Sequence, residues 1–310
     1  MSENNIIHCS KILRYCGVIY NSYLKKDYKM PKATIENTEV YQLKSEEVGD
    51  IYEITVMKPE DVSDQPLPVI YLTDANNSLG TGCDVANILM LGGEIPPVIL
   101  VAIGYPLGGD FNNFIKLRTR DFSPSLCKWQ TPMQAELADM RLEDIICGGA
   151  PNFLNFLTTE LRDFIGSKYN ISDDSTYIGD SMGGLFGVYT LFNKPDSFKR
   201  YVIGSPWMCW DYPLCFEYEK KYSENHNDLN AIVYMATGGD EHILYPNLPD
   251  AIVPLFKEAK TEEYSREMFK LLESRNYPNL NFRGKILDDE THFTMVSSLI
   301  GKGLKSVFNQ

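Results

Sequence analysis

Tyr177-Ile178-Gly179-Asp180-Ser181-Met182-Gly183-Gly184-Leu185 is the stretch on which the fold of this chain turns. A short apolar β-run, Thr176–Ile178, leads into it. Leu185, Val188, Tyr189 and Phe192 lead out at three- and four-residue spacing, the stripe of a helix that buries one face. Gly179-x-Ser181-x-Gly183 therefore sits at a strand–turn–helix junction, the setting that a nucleophile elbow requires. Such a turn strains the serine backbone and crowds the segments around it, so the positions two before and two after tolerate little beyond glycine. The hydroxyl is then lifted out of the sheet. The Met182 N–H, at a helix start, is placed to donate to a developing oxyanion. A glycine-rich turn without chemistry is the bland reading of the five residues alone, and the flanking strand and helix argue against it.

Working outward, Glu39–Lys44 and Ile51–Val56 alternate with period two around polar Ser45–Asp50, which predicts an antiparallel hairpin. Val69–Leu72 and Val98–Ile103 are continuous apolar runs entered from prolines, as suits strands buried on both faces. Arg200–Ile203, Ala231–Ala236 and Asn281–Leu287 extend the series. Phe153, Phe156, Leu157, Leu161 and Phe164 predict a helix over about 151–168, Met268, Leu271 and Leu272 another, and 293–308 a last one. The expectation is an α/β fold, a mostly parallel eight-stranded sheet with helices on both faces. Two stretches show no clear regular pattern: the 45 residues Tyr105–Gly149, and Ser205–Asn230 with its Trp207, Trp210 and Tyr212.

Composition narrows the function classes. The 310 residues, 44% apolar, suffice for a core without metal or disulfide staples. Lysine and arginine number 29 against 42 acidic residues, a net charge of −13, which argues against a nucleic-acid partner. Seven cysteines (Cys9, Cys16, Cys83, Cys127, Cys147, Cys209, Cys215) form no C-x-x-C pair. An odd, scattered set fits reduced thiols and a cytoplasmic location. Ile6 to Tyr23 is interrupted by Lys11 and Arg14 and lacks the pattern of a secretory signal, and no run is long and apolar enough to span a membrane. Residues 1–30 read as an N-terminal extension and 31–310 as one catalytic domain. Oligomeric state is not encoded legibly.

A serine hydroxyl needs a base. With the elbow placed, an acid and then a histidine are expected downstream, each after a strand. His292 follows the last strand and precedes the final helix, the expected place for the general base. His226 lies in a polar loop and reads as solvated; His242 reads as a surface residue or a substrate contact. After Ala231–Ala236 comes Thr237-Gly238-Gly239-Asp240-Glu241, two adjacent carboxylates, either of which can accept the imidazole's second N–H. Spacing from Gly238 favours Glu241, with Asp240 the alternative.

The elbow, together with Ser205-Pro206-Trp207, Pro96-Pro97-Val98, Gly104-Tyr105-Pro106 and Arg120-Asp121-Phe122-Ser123-Pro124, resembles the esterase branch of the α/β-hydrolases. That branch includes ferric-siderophore trilactone esterases and, more distantly, esterase D-like, feruloyl-esterase and mycolyltransferase enzymes. The resemblance runs from about residue 38 to the C-terminus. It implies an α/β-hydrolase fold and a serine esterase with Ser181, Glu241 and His292 as the triad, a small-molecule ester as partner, and neither metal nor cofactor. It also implies a second oxyanion donor after the third strand, in Tyr71-Leu72-Thr73-Asp74-Ala75-Asn76-Asn77. The Asn76 N–H matches best, with Ala75 or Asn77 as alternatives and an Asx-stabilised turn as the bland reading. The family's Asp-Gly is Asp74-Ala75 here.

Arg118 and Arg120 with Asp121 read either as an anion-recognition element or as internal Arg–Asp pairing that pins the loop. Trp207 and Trp210 either wall a substrate pocket or pack a loop. Acyltransfer or thioester hydrolysis on the same fold, and a non-catalytic binding module, are the alternative functions.

Overall fold

In a computed structural model, residues 34–60, 65–248, 250 and 252–309 are described. The chain divides into two units, Met1–Ile35 and Glu36–Gln310, and every element below belongs to the second. The proposed extension 1–30 lies outside the described residues.

Eight strands form one sheet: β1 (Thr38–Lys44), β2 (Ile51–Met57), β3 (Leu67–Leu72), β4 (Ile99–Gly104), β5 (Ile171–Asp180), β6 (Arg200–Gly204), β7 (Ala231–Gly238) and β8 (Leu280–Leu287). Their order is β1-β2-β4-β3-β5-β6-β7-β8. The sheet is mixed. β1–β2 and β2–β4 pair antiparallel, and the pairings from β4 through β3 to β8 are parallel. The parallel register follows from the helical crossovers, which return the chain to the same edge before each new strand. The β1–β2 hairpin closes at Ser45–Asp50, where the Ser45 N–H donates to the Asp50 carbonyl at 2.8 Å.

Every residue of β4 and β6 is buried, whereas β8 alternates between more and less exposed positions as an edge strand does. Helices cover both faces. Successive residues of a strand point to opposite sides. On β6, a Cβ at Gly303 of the last helix would run into Val202, and one at Gly187, in the helix after the elbow, would come within 3.1 Å of Ile203. The core carries an aromatic seam in which Tyr52 stacks on Phe156 at 4.4 Å and Phe153 meets Phe122 and Phe186 edge-on. Each such ring contributes roughly 1.5–3 kcal/mol by leaving water.

The helices are α1 (Ala75–Leu91), α2 (Phe111–Phe122), α3 (Gln130–Leu137), α4 (Ala150–Phe156), α5 (Arg162–Lys168), α6 (Met182–Asn193), α7 (Leu214–Asn225), α8 (Val253–Ala259), α9 (Thr261–Arg275) and α10 (Met295–Phe308). Two expectations change. The stretch Tyr105–Gly149 is not irregular: it holds α2, α3 and a 3-10 turn at Leu142–Asp144. Ser205–Asn230 holds α7. The helix expected over 151–168 is present as one helical path, in which α4 and α5 join through a π-helical turn at Leu157–Leu161.

Candidate active site

The end of β5 delivers the serine. Ser181 sits at φ 59°, ψ −117°, a backbone state that costs on the order of 1–3 kcal/mol and persists only where the surroundings enforce it. The enforcement is visible. The Ser181 N–H donates to Gly204 O at 2.9 Å, and the Ser181 carbonyl accepts from Leu185 and Trp207. A Cβ at Gly179 would lie 2.5 Å from Gly183 O, one at Gly183 2.9 Å from Thr73 Oγ1, and one at Gly184 would run into Gly204 O. Only glycine lets β5, β6 and α6 approach this closely.

The two turns beyond β7 and β8 are hydrogen-bonded to each other. Gly239 N–H donates to Leu287 O at 2.9 Å and Asp240 N–H to Glu290 O at 3.0 Å. This brings Glu241 beside His292. Glu241 Oε2 lies 3.0 Å from His292 Nδ1, and His292 Nε2 lies 2.9 Å from Ser181 Oγ. A carboxylate only accepts, so Nδ1 carries the proton and Nε2 is left to accept from the serine hydroxyl. Glu241 Oε1 also accepts from the Gly238 N–H at 3.0 Å and from the Ser205 hydroxyl. Of the two adjacent carboxylates, the geometry brings Glu241 and not Asp240 to the imidazole.

Burial opposes the charged form of each partner, and their mutual interaction wins. Burial pulls the His292 pKa down, yet the Glu241 charge and hydrogen bond raise it above the ordinary histidine value. Burial pushes Glu241 up, while His292 and the Ser205 bond hold it below the usual carboxylate range. Asp180, immediately before the serine, is different: burial pushes its carboxyl up to about 7, and its Oδ1 is buried without a hydrogen-bond partner.

These groups open onto a cavity of about 510 Å³ lined by Ser181, Met182, His292, Trp207, Asp74 and Asp180, among others. Phe111 and Phe293, 51% and 61% exposed, stand among its lining residues. Trp207 is a wall residue: its indole N–H donates to Gln130 Oε1 at 2.7 Å, and its ring meets His292 edge-on at 5.3 Å. Trp210 is not part of this wall. It is fully buried with its N–H on Ser125 O at 3.1 Å, and packs the loop.

The two arginines of α2 separate. They are two residues apart, about 200° around a helix, so they face different partners. Arg118 lines the cavity and is bound bidentately by Asp74, at 2.8 and 2.9 Å, with Nη2 also 3.3 Å from the Asp180 carbonyl. Arg120 turns into the core, where it holds buried Asp121 at 2.7 Å and Asp50 at 2.8 Å. Asp121 further accepts from the hydroxyls of Tyr52 and Tyr105. Arg120 is thus internal pairing and not a wall of the cavity.

At the end of β3, Asp74 adopts φ 57°, ψ 38° and starts α1. The Asn77 N–H is engaged by Asp74 O, whereas first-turn N–H groups such as those of Ala75 and Asn76 have no acceptor within their helix. The Asn76 side chain bridges to the residue that follows β4, exchanging bonds of 2.8 Å with Tyr105 N and O. Asp74 and Asn77 line the cavity, and Asn76 lies between them in the chain. His226 stacks on Tyr222 at 4.2 Å, and His242 is exposed outside the cavity lining. Sequence reasoning missed the Asp74–Arg118 clamp, the Ser205 hydroxyl on Glu241, Gln130 behind Trp207, and Asp180 as a wall residue. Ser205 and Asp180 stood inside quoted motifs; nothing marked Gln130.

Comparison with known proteins identifies the family and the fold. Residues 45–247 match the family model described as "Putative esterase". The chain is 25% identical over 281 residues to the ferri-bacillibactin esterase BesA of Bacillus subtilis, covering 88% of this chain and 90% of that protein. It is 30% identical over 203 residues to the siderophore triacetylfusarinine C esterase of Aspergillus fumigatus, covering 60% and 61%. The crystal structure of the BES protein from Bacillus cereus superposes with a TM-score of 0.71 at 25% identity, covering 90% of this chain and 99% of that one.

Proposed function

The chain belongs to this esterase family of the α/β-hydrolase type and is a carboxylic ester hydrolase; from that premise we propose that it cleaves siderophore-type esters through an acyl-enzyme on Ser181. The observation that carries the reading is the unbroken chain Ser181–His292–Glu241, at 2.9 and 3.0 Å, on a strained elbow facing an apolar cavity.

In this mechanism Ser181 Oγ attacks the ester carbonyl as His292 Nε2 takes its proton, and Glu241 stabilises the imidazolium. The carbonyl electron pair moves onto oxygen, where the Met182 and Asn76 N–H groups, each in the first turn of a helix, receive it. Collapse expels the alcohol, which takes the proton from His292. Water then attacks the acyl-enzyme with His292 as base again, and the acid leaves as Ser181 recovers its proton. Residues 31–310 act as the catalytic domain. The free thiols at Cys83, Cys127, Cys147, Cys209 and Cys215 support a reducing, cytoplasmic setting.

Treating the folded protein with a fluorophosphonate probe and assaying p-nitrophenyl esters beside a siderophore trilactone tests this. We expect Ser181 to be labelled, Ser181→Ala to abolish label and turnover, and the trilactone to be hydrolysed. No label on Ser181 would overturn the mechanism; turnover of simple esters without the trilactone would overturn the substrate assignment.

A further inference from the structure

On the acyl-enzyme reading above, His292 must hold its Nε2 in place while a proton arrives from Ser181 and departs to the leaving alcohol. Its hydrogen bond to Ser181 is given up in that cycle, so Glu241 is its one lasting partner, at Nδ1. A single bond is a pivot about which the imidazole can swing, and a displacement of about 1 Å costs about 10²-fold in rate. What blocks the swing is packing. Three rings stand edge-on to the imidazole: Phe256 at 4.9 Å, Trp207 at 5.3 Å and Phe293 at 5.9 Å between centroids. Trp207 and Phe256 also meet each other at 5.4 Å, and Phe256 stacks on Phe293 at 5.7 Å.

These rings are not held alike. Phe293 is exposed and neighbours His292 in the chain, and Phe256 is half-buried on α8. Trp207 is buried and tied at both ends. Its backbone N–H donates to the Ser181 carbonyl at 3.1 Å, and its indole N–H donates to Gln130 Oε1 at 2.7 Å. Gln130, the first residue of α3, is fully buried and lies outside the cavity lining. An indole only donates, so the carbonyl end of the Gln130 amide must face it. That turns Gln130 Nε2 toward Cys209 Sγ, a weak acceptor 3.4 Å away. Turned the other way, two donors would meet in the core, where an unpaired polar group is costly. The amide therefore has one orientation, and the indole with it.

We propose that Gln130 is a positioning residue for the reaction: its side-chain carbonyl fixes the Trp207 indole, and the indole, with Phe256 and Phe293, fixes the His292 imidazole between Glu241 and Ser181.

The test is a double-mutant cycle on the full-length protein, read as kcat for p-nitrophenyl acetate and as the rate at which a fluorophosphonate labels Ser181. Gln130→Leu removes the carbonyl and should lower both by about tenfold or more, with KM changed less than kcat. Gln130→Glu keeps an oxygen for the indole and should recover part of the loss. Trp207→Phe keeps a ring beside His292 but has no N–H to hold. In that background Gln130→Leu should cost less than about twofold more, because residues acting through one contact are not additive. Gln130→Met, matched in length and without the carbonyl, supplies the same cycle where the leucine variant fails to fold. Native rates in Gln130→Leu, a loss confined to KM, or losses that multiply in the double variant would overturn the proposal. Absence of label on Ser181 in the native protein would instead remove the acyl-enzyme reading on which it rests.

Discussion

Glu241 and Asp240 are neighbouring carboxylates with different surroundings. Glu241 is 4% exposed and takes donors from His292, Gly238 and Ser205, while Asp240 contributes its N–H to the turn after β8. If Glu241 fixes the histidine tautomer, Glu241→Gln lowers kcat by about 10⁴-fold, the cost of the wrong tautomer at such a site. Asp240→Asn should change kcat by no more than a few-fold; the reverse ranking would move the acid by one residue. The pH profile gives an independent check. His292 acts as a base only when neutral, and its pKa is raised above the ordinary value, with the Glu241 charge and hydrogen bond as the raising influences. Activity is therefore lost as pH falls through that raised pKa, and the acidic limb of kcat/KM in Glu241→Gln shifts to lower pH because the stabilising anion is gone. A limb that stays in place would argue that Glu241 does not face a titrating His292. Ser181 and His292 were legible from the order of strand, elbow and final helix. The choice between Asp240 and Glu241 was only half legible, because it is made by hydrogen bonds between two turns distant in sequence.

Among the elements, β3, β4, β6 and β7 were readable to within a few residues because burial on both faces leaves them continuous apolar runs, and the β1–β2 hairpin was readable from its period-two alternation. β5 was the exception, running from Ile171 to Asp180 where only Thr176–Ile178 is apolar enough to stand out. The helix α3 was illegible for a physical reason. It buries Gln130, Thr131 and Gln134, polar groups with partners such as the indole of Trp207, and a hydrophobic stripe is absent where burial is satisfied by hydrogen bonds. α2 does bury apolar Phe114, Ile115 and Phe122, but the same face holds polar Thr119 and Asp121, the latter taking the hydroxyls of Tyr52 and Tyr105, so its pattern is mixed. Without the helix, nothing told Arg118 from Arg120. On α2, Arg118 ties the Asp74 turn at the end of β3 to the Asp180 carbonyl before the elbow. Those are the two turns that present the proposed oxyanion donors, so Arg118 is a positioning residue. Displacing one such donor costs up to about 10²–10³ in kcat. Arg118→Met should lower kcat for a neutral ester by about tenfold or more with little change in KM, and Arg118→Lys should restore part of it. A loss confined to KM would sink the clamp.

The whole molecule registers the site as a stability that depends on pH. Asp180 is held in the cavity wall with its carboxyl pKa pushed by burial to about 7, far above the range of an unfolded aspartate near about 3.9. His292, Glu241, Arg118 and Asp74 face it, and none of them supplies a partner for its buried Oδ1. Because the folded state holds this proton more tightly than the unfolded chain, folding is favoured by it at low pH. That contribution fades as pH rises from about 4 through about 7, above which the buried charge is a standing cost. Strain at a functional site of this kind is sustained by the surrounding fold: the eight-stranded sheet and its aromatic core hold Ser181 and Asp180 in states that neither residue adopts readily alone. Asp180→Asn cannot ionise and so escapes the cost. Its Tm should exceed that of the native protein by about 2 °C or more at pH 8 and by much less at pH 5. Groups that titrate alike in both proteins cancel in this difference, so a gain equal at the two pH values would show that the Asp180 carboxyl is not held protonated against its surroundings.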